Sequence, residues 1–210
     1  MADRFLTQGS LRDFLAALAS GEEAHGAVVA SAMAAGMGAS LLLMVAALPK
    51  TRSDSVDDRM VLASTAAALG GVREQLMEAI ETQTAVNLFA ARNMPQASRA
   101  EREQREAALQ LALRAAADVP LEVMRLCAVC LQHAETVAAR SVRAASADVE
   151  LAVALIDAGF NGARSSLERK LGSLTDAVYV ASVVDQIASL SDDATARARA
   201  AVSLVHTPPA

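Results

Sequence analysis

The stretch Gly26–Leu48 reads GAVVASAMAAGMGASLLLMVAAL and contains no charged residue. Thirteen of its 23 residues are Gly, Ala or Ser, and small residues recur at every fourth position, at Ala27, Ser31, Ala35 and Ala39. Residues four apart share one face of an α-helix, and small side chains there let a second helix approach closely. The length also meets the criterion for a membrane span, but a helix that is apolar all round is typical of the centre of a soluble bundle. The stretch therefore predicts a central helix that ends before Pro49, and we expect no membrane partner.

The composition of the whole chain also favours helix. Its 210 residues include 49 alanines but only five aromatic residues, whereas β-sheets need aromatic and β-branched side chains to fill their faces. The net charge of −5 and the absence of tryptophan argue against nucleic acid, which binds basic patches or stacking aromatics. We expect an all-α fold, a single-domain bundle of about seven antiparallel helices over residues 1–210, with a flexible tail from His206 to Ala210.

Capping residues and prolines mark the helix ends. Ser10-Leu-Arg-Asp13 resembles a capping box, and it opens a short helix with four apolar residues on one face, Leu11, Phe14, Leu15 and Leu18. A long helix is expected over Val56–Met94, before Pro95. Asp118-Val-Pro120 is expected to start a new helix, with Asp118 as its cap. The last helices are expected at about residues 146–171, 176–190 and 192–205.

Cys127-Ala-Val-Cys130 is a C-x-x-C motif, and His133 follows at the same interval. On a helix with about 100° per residue, two of these side chains can face one metal ion, but three cannot easily do so. Redox motifs of this type normally lie at a helix start, and this one lies well inside. Buried small side chains are the favoured interpretation, with metal binding or redox chemistry as the alternative. Because two cysteines form no disulfide framework and Met1–Phe5 opens no signal segment, we expect a cytoplasmic protein.

Two loops next to the Gly26–Leu48 helix carry candidate functional residues. His25 lies in the loop before that helix, where a histidine could serve as an acid or base. Lys50 and Arg52 follow its end, where cations complement the helix dipole or could clamp an anion such as a glutamate tail. The sequence has no P-loop, G-x-G-x-x-G, G-x-S-x-G or H-E-x-x-H motif.

The order of segments resembles the formiminotransferase-cyclodeaminase C-terminal family, which includes methenyltetrahydrofolate cyclohydrolases. The resemblance lies in segments spread over most of the chain in the same order: Ser10–Leu18, Ala35–Val45, Pro95, Ala117-Asp-Val-Pro-Leu121, Ala134-Glu-Thr-Val-Ala138, Asp148 and Ala158-Gly159. It implies an all-helical homodimer in the cytoplasm that acts on one-carbon tetrahydrofolates, with no tightly bound cofactor. The reaction of that family needs an acid or base near the carbon carried by N5 and N10 of the folate.

The chain departs from the family at several motif positions. A glycine-rich loop of the P-T-P-G-G-G-S type is replaced by Glu23–Val29, which keeps only Gly26. The segment that carries an aspartate in the family reads Thr82-Gln-Thr-Ala-Val86. A G-N-x-N-x-x-S-D segment corresponds to Ser141–Asp148, in which Asp148 is kept and both asparagines are replaced. Two later asparagines of the family correspond to Ser166 and Lys170.

Two hypotheses follow for the function. In the first, the chain is a divergent cyclohydrolase or cyclodeaminase with Asp148 and His25 as catalytic residues. Its substrate-binding residues would be Gly26, Thr82, Lys50 and Arg52, with the two cations on the anionic tail of a pterin or folate. In the second, the chain is a non-catalytic helical dimer of the same fold that binds a related ligand or a protein partner. No metal site is expected in either case.

Overall fold

The structure is a computed structural model that describes residues 9–20, 26–92 and 99–206, without the side chains of residues 87–107. Its six α-helices are α1 (Leu11–Ala19), α2 (Ala27–Ala46), α3 (Val56–Arg92), α4 (Arg99–Arg140), α5 (Ser146–Leu171) and α6 (Ala177–His206). A 3-10 turn at Arg143–Ala145 precedes α5, and an isolated bridge joins Thr51 to Ser141. The described part of the chain contains no strand, which confirms the all-α prediction.

Helix α2 is the central helix, as its small residues predict. It packs against α3 and α5, and more lightly against α4. Its closest crossing is with α5, because a Cβ atom added at Gly159 would lie 2.6 Å from the carbonyl oxygen of Ser31. The reverse contact is similarly close, because a Cβ atom added at Gly38 on α2 would lie 2.7 Å from the carbonyl oxygen of Ala152 on α5. Glycine is therefore required on both helices for this backbone-to-backbone contact.

The same helix has the length and apolar composition of a membrane span. In the fold, 56% of its most apolar window is buried against the other helices. Packing inside the bundle therefore accounts for much of its composition, as it does for a core helix of a soluble protein.

Two helix breaks that the sequence predicts are absent from the structure. Helix α4 runs unbroken through Pro120, so the expected restart at Asp118 is wrong. Asp118 does not cap a helix; its carboxylate accepts a 2.6 Å hydrogen bond from the hydroxyl of Tyr179 on α6. The expected break near residue 191 is also wrong, since α6 is one helix of 30 residues. Burial of long helices against each other outweighs these local signals.

At the start of the chain, the capping box of α1 is confirmed. The Ser10 hydroxyl accepts a hydrogen bond from the backbone N–H of Asp13, and the Asp13 carboxylate accepts one from the backbone N–H of Ser10. The predicted apolar face is only partly buried: Phe14 is in the core, whereas Leu11 and Leu15 are exposed. Within the described residues, α1 is thus fixed to the bundle mainly through Phe14.

The bundle has two ends, and the helix directions decide which residues meet at each. The start of α2 lies near the ends of α3 and α5, and the end of α2 lies near the starts of α3 and α5. Since an α-helix rises about 1.5 Å per residue, the 20 residues of α2 separate the two ends by about 30 Å. A residue at one end cannot contact a small ligand at the other.

Candidate functional site

A cavity of about 290 Å³ lies at the end of the bundle where α2 begins. It is lined by Gly26, Ala27, Val28, Gln83, Leu113, Ser166, Arg169, Lys170 and Ser173. Three of the segments by which the chain was compared with the family contribute to this lining: Gly26–Val28, the Thr82–Val86 segment through Gln83, and Ser166 with Lys170 on α5. Positions far apart in the sequence therefore converge on one concave site.

Lys170 is the central polar residue of the cavity. Its Nζ donates a 2.6 Å hydrogen bond to the carbonyl oxygen of Ala116 on α4 and a 3.2 Å hydrogen bond to Oε1 of Gln83 on α3. One amine thus connects three helices at the cavity wall.

The Ala116 carbonyl can accept this bond because of Pro120. In an uninterrupted helix the N–H of residue 120 would donate to the carbonyl of residue 116, but proline has no N–H. The missing donor leaves an acceptor inside α4, and the Lys170 ammonium takes that position. The proline that sequence reasoning interpreted as a helix start instead creates a hydrogen-bond acceptor at the cavity.

The electrostatics of the cavity favour a lysine that changes protonation state near neutral pH. Burial, and to a smaller extent the neighbouring charge of Arg169, together lower the pKa of Lys170 to about 8. A lysine with this pKa is mostly protonated at pH 7, with a minor fraction of free amine. It can therefore both give and take a proton.

Gln83 and Ser166 are the buried polar partners of the two cations. Gln83 is only 2% exposed, although it lies near the end of a long surface helix. Ser166 is also buried, and its hydroxyl lies 3.4 Å from Nη2 of Arg169, which donates to it. The side chains of Gln83 and Ser166 occupy the buried stripes of α3 and α5 and extend each stripe to the cavity.

The first turn of α2 forms the opposite wall. Gly26 is the N-cap residue and has no side chain to accept a hydrogen bond. The first backbone N–H groups of a helix have no acceptor within the helix, and their dipoles favour negative charge. Ala27 and Val28 bring this helix start to the cavity surface.

Of the sequence-predicted residues that the structure describes, Gly26 alone lines the cavity. Thr82 is exposed, because it lies about 100° around α3 from Gln83, which is the buried member of the segment. Thr82 therefore does not line the cavity, whereas its neighbour Gln83 does. His25 lies outside the described residues. The signal for Gln83 was present in the sequence, since it continues the buried stripe of Leu69, Val72, Leu76 and Ile80.

The other three predicted residues lie at the opposite end of the bundle. Asp148 is in the first turn of α5, where an acidic residue complements the helix dipole. Twenty-two residues of the same helix separate it from Lys170, which corresponds to about 33 Å. Lys50 is exposed, and Arg52 donates through Nη1 to the carbonyl oxygen of Leu204 at 3.2 Å, near the end of α6. The structure thus does not bring Asp148, Lys50 or Arg52 together with Gly26.

The C-x-x-C motif forms part of the core. Cys127 and Cys130 are both buried, which confirms the favoured interpretation of buried small side chains. Burial raises the pKa of Cys130 to about 12 and raises the pKa of Cys127 as well, so both remain thiols at neutral pH. Within the described ranges, no three residues of the types that bind metals come together, His133 included.

Comparisons with known proteins identify the family of the chain. The family model described as formiminotransferase-cyclodeaminase matches residues 10–189. The methenyltetrahydrofolate cyclohydrolase of Methylorubrum extorquens is 28% identical over 187 residues, which cover 88% of this chain and 90% of that protein. The crystal structure of formiminotetrahydrofolate cyclodeaminase from Thermotoga maritima has the same fold, with a TM-score of 0.85 and 17% identity over 95% of this chain and 97% of the other. The chain belongs to the formiminotransferase-cyclodeaminase family.

Proposed function

We propose that the chain hydrolyses the one-carbon bridge of a tetrahydrofolate, as a methenyltetrahydrofolate cyclohydrolase, in the cavity at the start of α2. The observation that carries this proposal is the convergence of Gly26, Gln83 and Lys170 on one cavity. Each of these residues belongs to a segment that corresponds to a motif of the family. Family membership and the relative from Methylorubrum extorquens support a folate substrate.

The size and lining of the cavity fit part of such a substrate. Small-molecule sites usually measure about 300–1,000 Å³, so a cavity of about 290 Å³ suits a two-ring pterin head group, with the rest of the molecule outside. Leu113 and Val28 offer apolar contact to the rings, and Gln83 and Ser166 can exchange hydrogen bonds with the pterin edge. The helix start of α2 can stabilise negative charge that develops on oxygen during hydrolysis.

One observation favours the second hypothesis, a non-catalytic protein of the same fold. Val28 lines the cavity within the segment where the family has consecutive glycines, and its side chain fills space next to the helix start. Glycine permits the closest approach of a ligand to the backbone, and valine does not. A cavity narrowed in this way could bind a related ligand without catalysis, so the assay must measure turnover and binding separately.

We further propose that the protein is a homodimer that uses the exposed face of α2. Met37 is 51% exposed and Met44 is 44% exposed, and Met33 and Leu41 are half-buried on the same face. This face belongs to a helix without any charged residue. Exposed apolar stripes of this kind mark interaction surfaces in soluble proteins. A cytoplasmic location and the absence of a tightly bound cofactor are part of the same proposal.

The test is optical, because methenyltetrahydrofolate has a chromophore that is lost on hydrolysis. We expect the protein to accelerate the loss of absorbance and to be stabilised against heat by 5-formyltetrahydrofolate, which has no bridge to hydrolyse. Formiminotetrahydrofolate is the second substrate, since its deamination would create the same chromophore. Thermal stabilisation without turnover of either substrate would favour the non-catalytic hypothesis, and the absence of both effects would exclude a folate site.

A cavity-blocking variant locates the site. Ser173→Trp places a large side chain at an exposed position of the cavity lining, where it should block ligand entry without disturbing the core. Thr175→Trp is the matched control, because Thr175 is exposed two residues further on and does not line the cavity. We expect Ser173→Trp to abolish both turnover and ligand stabilisation, and Thr175→Trp to preserve them. Equal effects of the two variants would place the site elsewhere.

A further inference from the structure

We propose that Lys170 is the catalytic acid–base residue of this site and carries a proton from the attacking water to the pterin nitrogen that is released. The inference rests on the proposed function, because it assigns a role within the same cavity. It goes beyond the family resemblance, in which Lys170 corresponds to an asparagine, because an asparagine side chain cannot take up a proton at neutral pH.

The geometry holds the amine in one orientation. A neutral amine has two N–H groups and one lone pair, and the carbonyl oxygen of Ala116 and Oε1 of Gln83 can accept both hydrogen bonds. With both N–H groups bound to the protein, the remaining position of the nitrogen is available toward the cavity that Lys170 lines. That position holds a lone pair in the free amine and a proton in the ammonium, which are the two states that an acid–base residue needs.

The surroundings of the amine set its protonation. Burial, and to a smaller extent the charge of Arg169 on the same helix, lowers the pKa of Lys170 to about 8. From α3 the amine is faced by the neutral side chain of Gln83, and from α4 by the backbone carbonyl of Ala116. A free amine is therefore accessible at neutral pH without a change of fold.

The proposed reaction opens the one-carbon bridge by two proton transfers through Lys170. The oxygen of a water molecule bonds to the carbon that bridges N5 and N10 of the methenyl substrate, and the free amine of Lys170 takes one proton from that water. The bond between the carbon and N5 then breaks with its electron pair on N5, and N5 takes the proton from the Lys170 ammonium. The new hydroxyl group releases its proton to solvent and becomes the carbonyl of a formyl group on N10. One water is consumed, one proton is released, and Lys170 returns to the free amine.

Two substitutions of Lys170 distinguish a role in proton transfer from a role of its positive charge alone. Lys170→Met keeps the length of the side chain but has no titratable group, and Lys170→Arg keeps the charge but cannot give up its proton. We expect both to lower kcat by about 100-fold or more, the usual contribution of a positioned acid or base. Arg199→Met is the control, because it removes an exposed cation of α6 that does not line the cavity. Activity of Lys170→Arg within about threefold of the wild type would show a charge role and overturn the proposal.

A second measurement uses the unmodified protein and does not depend on the folding of a variant. The wild-type kcat/KM should rise with pH and level off above about 8, because the free amine is the form that starts the reaction. In competitive acetylation read by mass spectrometry, Lys170 should titrate near the same pH and be protected by 5-formyltetrahydrofolate, with Lys50 as the exposed reference. A flat pH profile in a protein that does turn over substrate would overturn the role of Lys170 but leave the proposed function intact. A protein without turnover would overturn both.

Discussion

The ammonium group of Lys170 donates a 2.6 Å hydrogen bond to the backbone carbonyl of Ala116, the acceptor that Pro120 leaves without its helical donor. This contact joins α5 to α4 at the wall of the cavity. It connects the proline of the Ala117–Leu121 segment, by which the chain resembles its family, to the one lysine of the candidate site. A backbone feature far from α5 in sequence thus positions the proposed catalytic group.

The first prediction concerns Pro120→Ala. The alanine supplies the missing N–H, which would bond to the Ala116 carbonyl and compete with Lys170. The ammonium would lose an acceptor that stabilises its charged form, so the pKa of Lys170 should fall and the rise of kcat/KM should move to lower pH. Thermal unfolding should show an unchanged or higher Tm, because an internal proline disfavours helix by about 3 kcal/mol. Glu122→Ala, an exposed change on the same helix, is the control. An unchanged pH profile in Pro120→Ala would show that Pro120 does not influence the pKa of Lys170.

The second prediction uses Gln83, whose Oε1 lies 3.2 Å from Nζ of Lys170. Gln83→Glu places a negative charge beside the ammonium, so the pKa of Lys170 should rise and the pH profile should shift upward, by about 1–3 units for such a close pair. Gln83→Leu removes the acceptor and should shift the profile downward. Thr82→Glu puts the same charge on the exposed face of α3 and should leave the profile in place. If the pH profiles of both Gln83 variants shifted in the same direction, the side chain at position 83 would not set the pKa of Lys170 in the way proposed.

The third prediction tests the crossing of α2 and α5. In Gly159→Ala the new methyl group would lie 2.6 Å from the carbonyl oxygen of Ser31, and that backbone atom can move only if the helices separate. We expect the free energy of unfolding to fall by about 1–3 kcal/mol in urea titrations, the usual cost of an overpacked core. Gly71→Ala is the control, since nothing lies within 4 Å of its Cβ position and alanine favours helix by about 0.5–1 kcal/mol. An equal loss of unfolding free energy in both variants would show that the effect is not specific to the crossing of α2 and α5.

The fourth prediction concerns the exposed stripe of α2. Met37→Glu places a charge in the proposed interface and should convert a dimer into a monomer, measured by size-exclusion chromatography with light scattering. Val178→Glu introduces the same charge on α6, where the side chain is 82% exposed, and should leave the oligomeric state unchanged. A monomeric wild-type protein would contradict the proposed homodimer, and the proposed function of the cavity would be unaffected.

The frame of the fold could be predicted from the sequence, because it depends on features that repeat. The charge-free stretch Gly26–Leu48 predicts the central helix, and the Ser10–Asp13 capping box predicts the start of α1. Helix ends were harder to predict where a local signal and tertiary packing disagree. Pro120 is a strong local signal, yet α4 continues through it because its packing against the other helices outweighs that signal.

The residues of the candidate site are harder to predict from the sequence. Whether a side chain reaches the cavity depends on the side of the helix that it occupies, and a match to a sequence motif does not show that side. Thr82 and Gln83 are neighbours in the sequence, but only Gln83 faces the core. Asp148 is the acidic residue kept in its family-like segment, but its identity does not indicate which end of α5 borders the cavity. Lys170 follows Leu167 by three residues on the buried stripe of that helix, and a lysine in such a stripe was the available signal.

The last prediction decides between the two ends of the bundle. If catalysis takes place at Lys170, then Asp148→Ala should leave kcat/KM within about twofold of the wild type, because about 33 Å of helix α5 separates the two residues. Its effect should be confined to stability, with a loss of about 0.3–1 kcal/mol from the helix dipole at the start of α5. The measurement compares Asp148→Ala and Lys170→Met side by side in the absorbance assay and in urea unfolding. A large loss of kcat in Asp148→Ala with normal unfolding would instead place the chemistry at the Asp148 end, beside Lys50 and Arg52, as the retained aspartate first indicated.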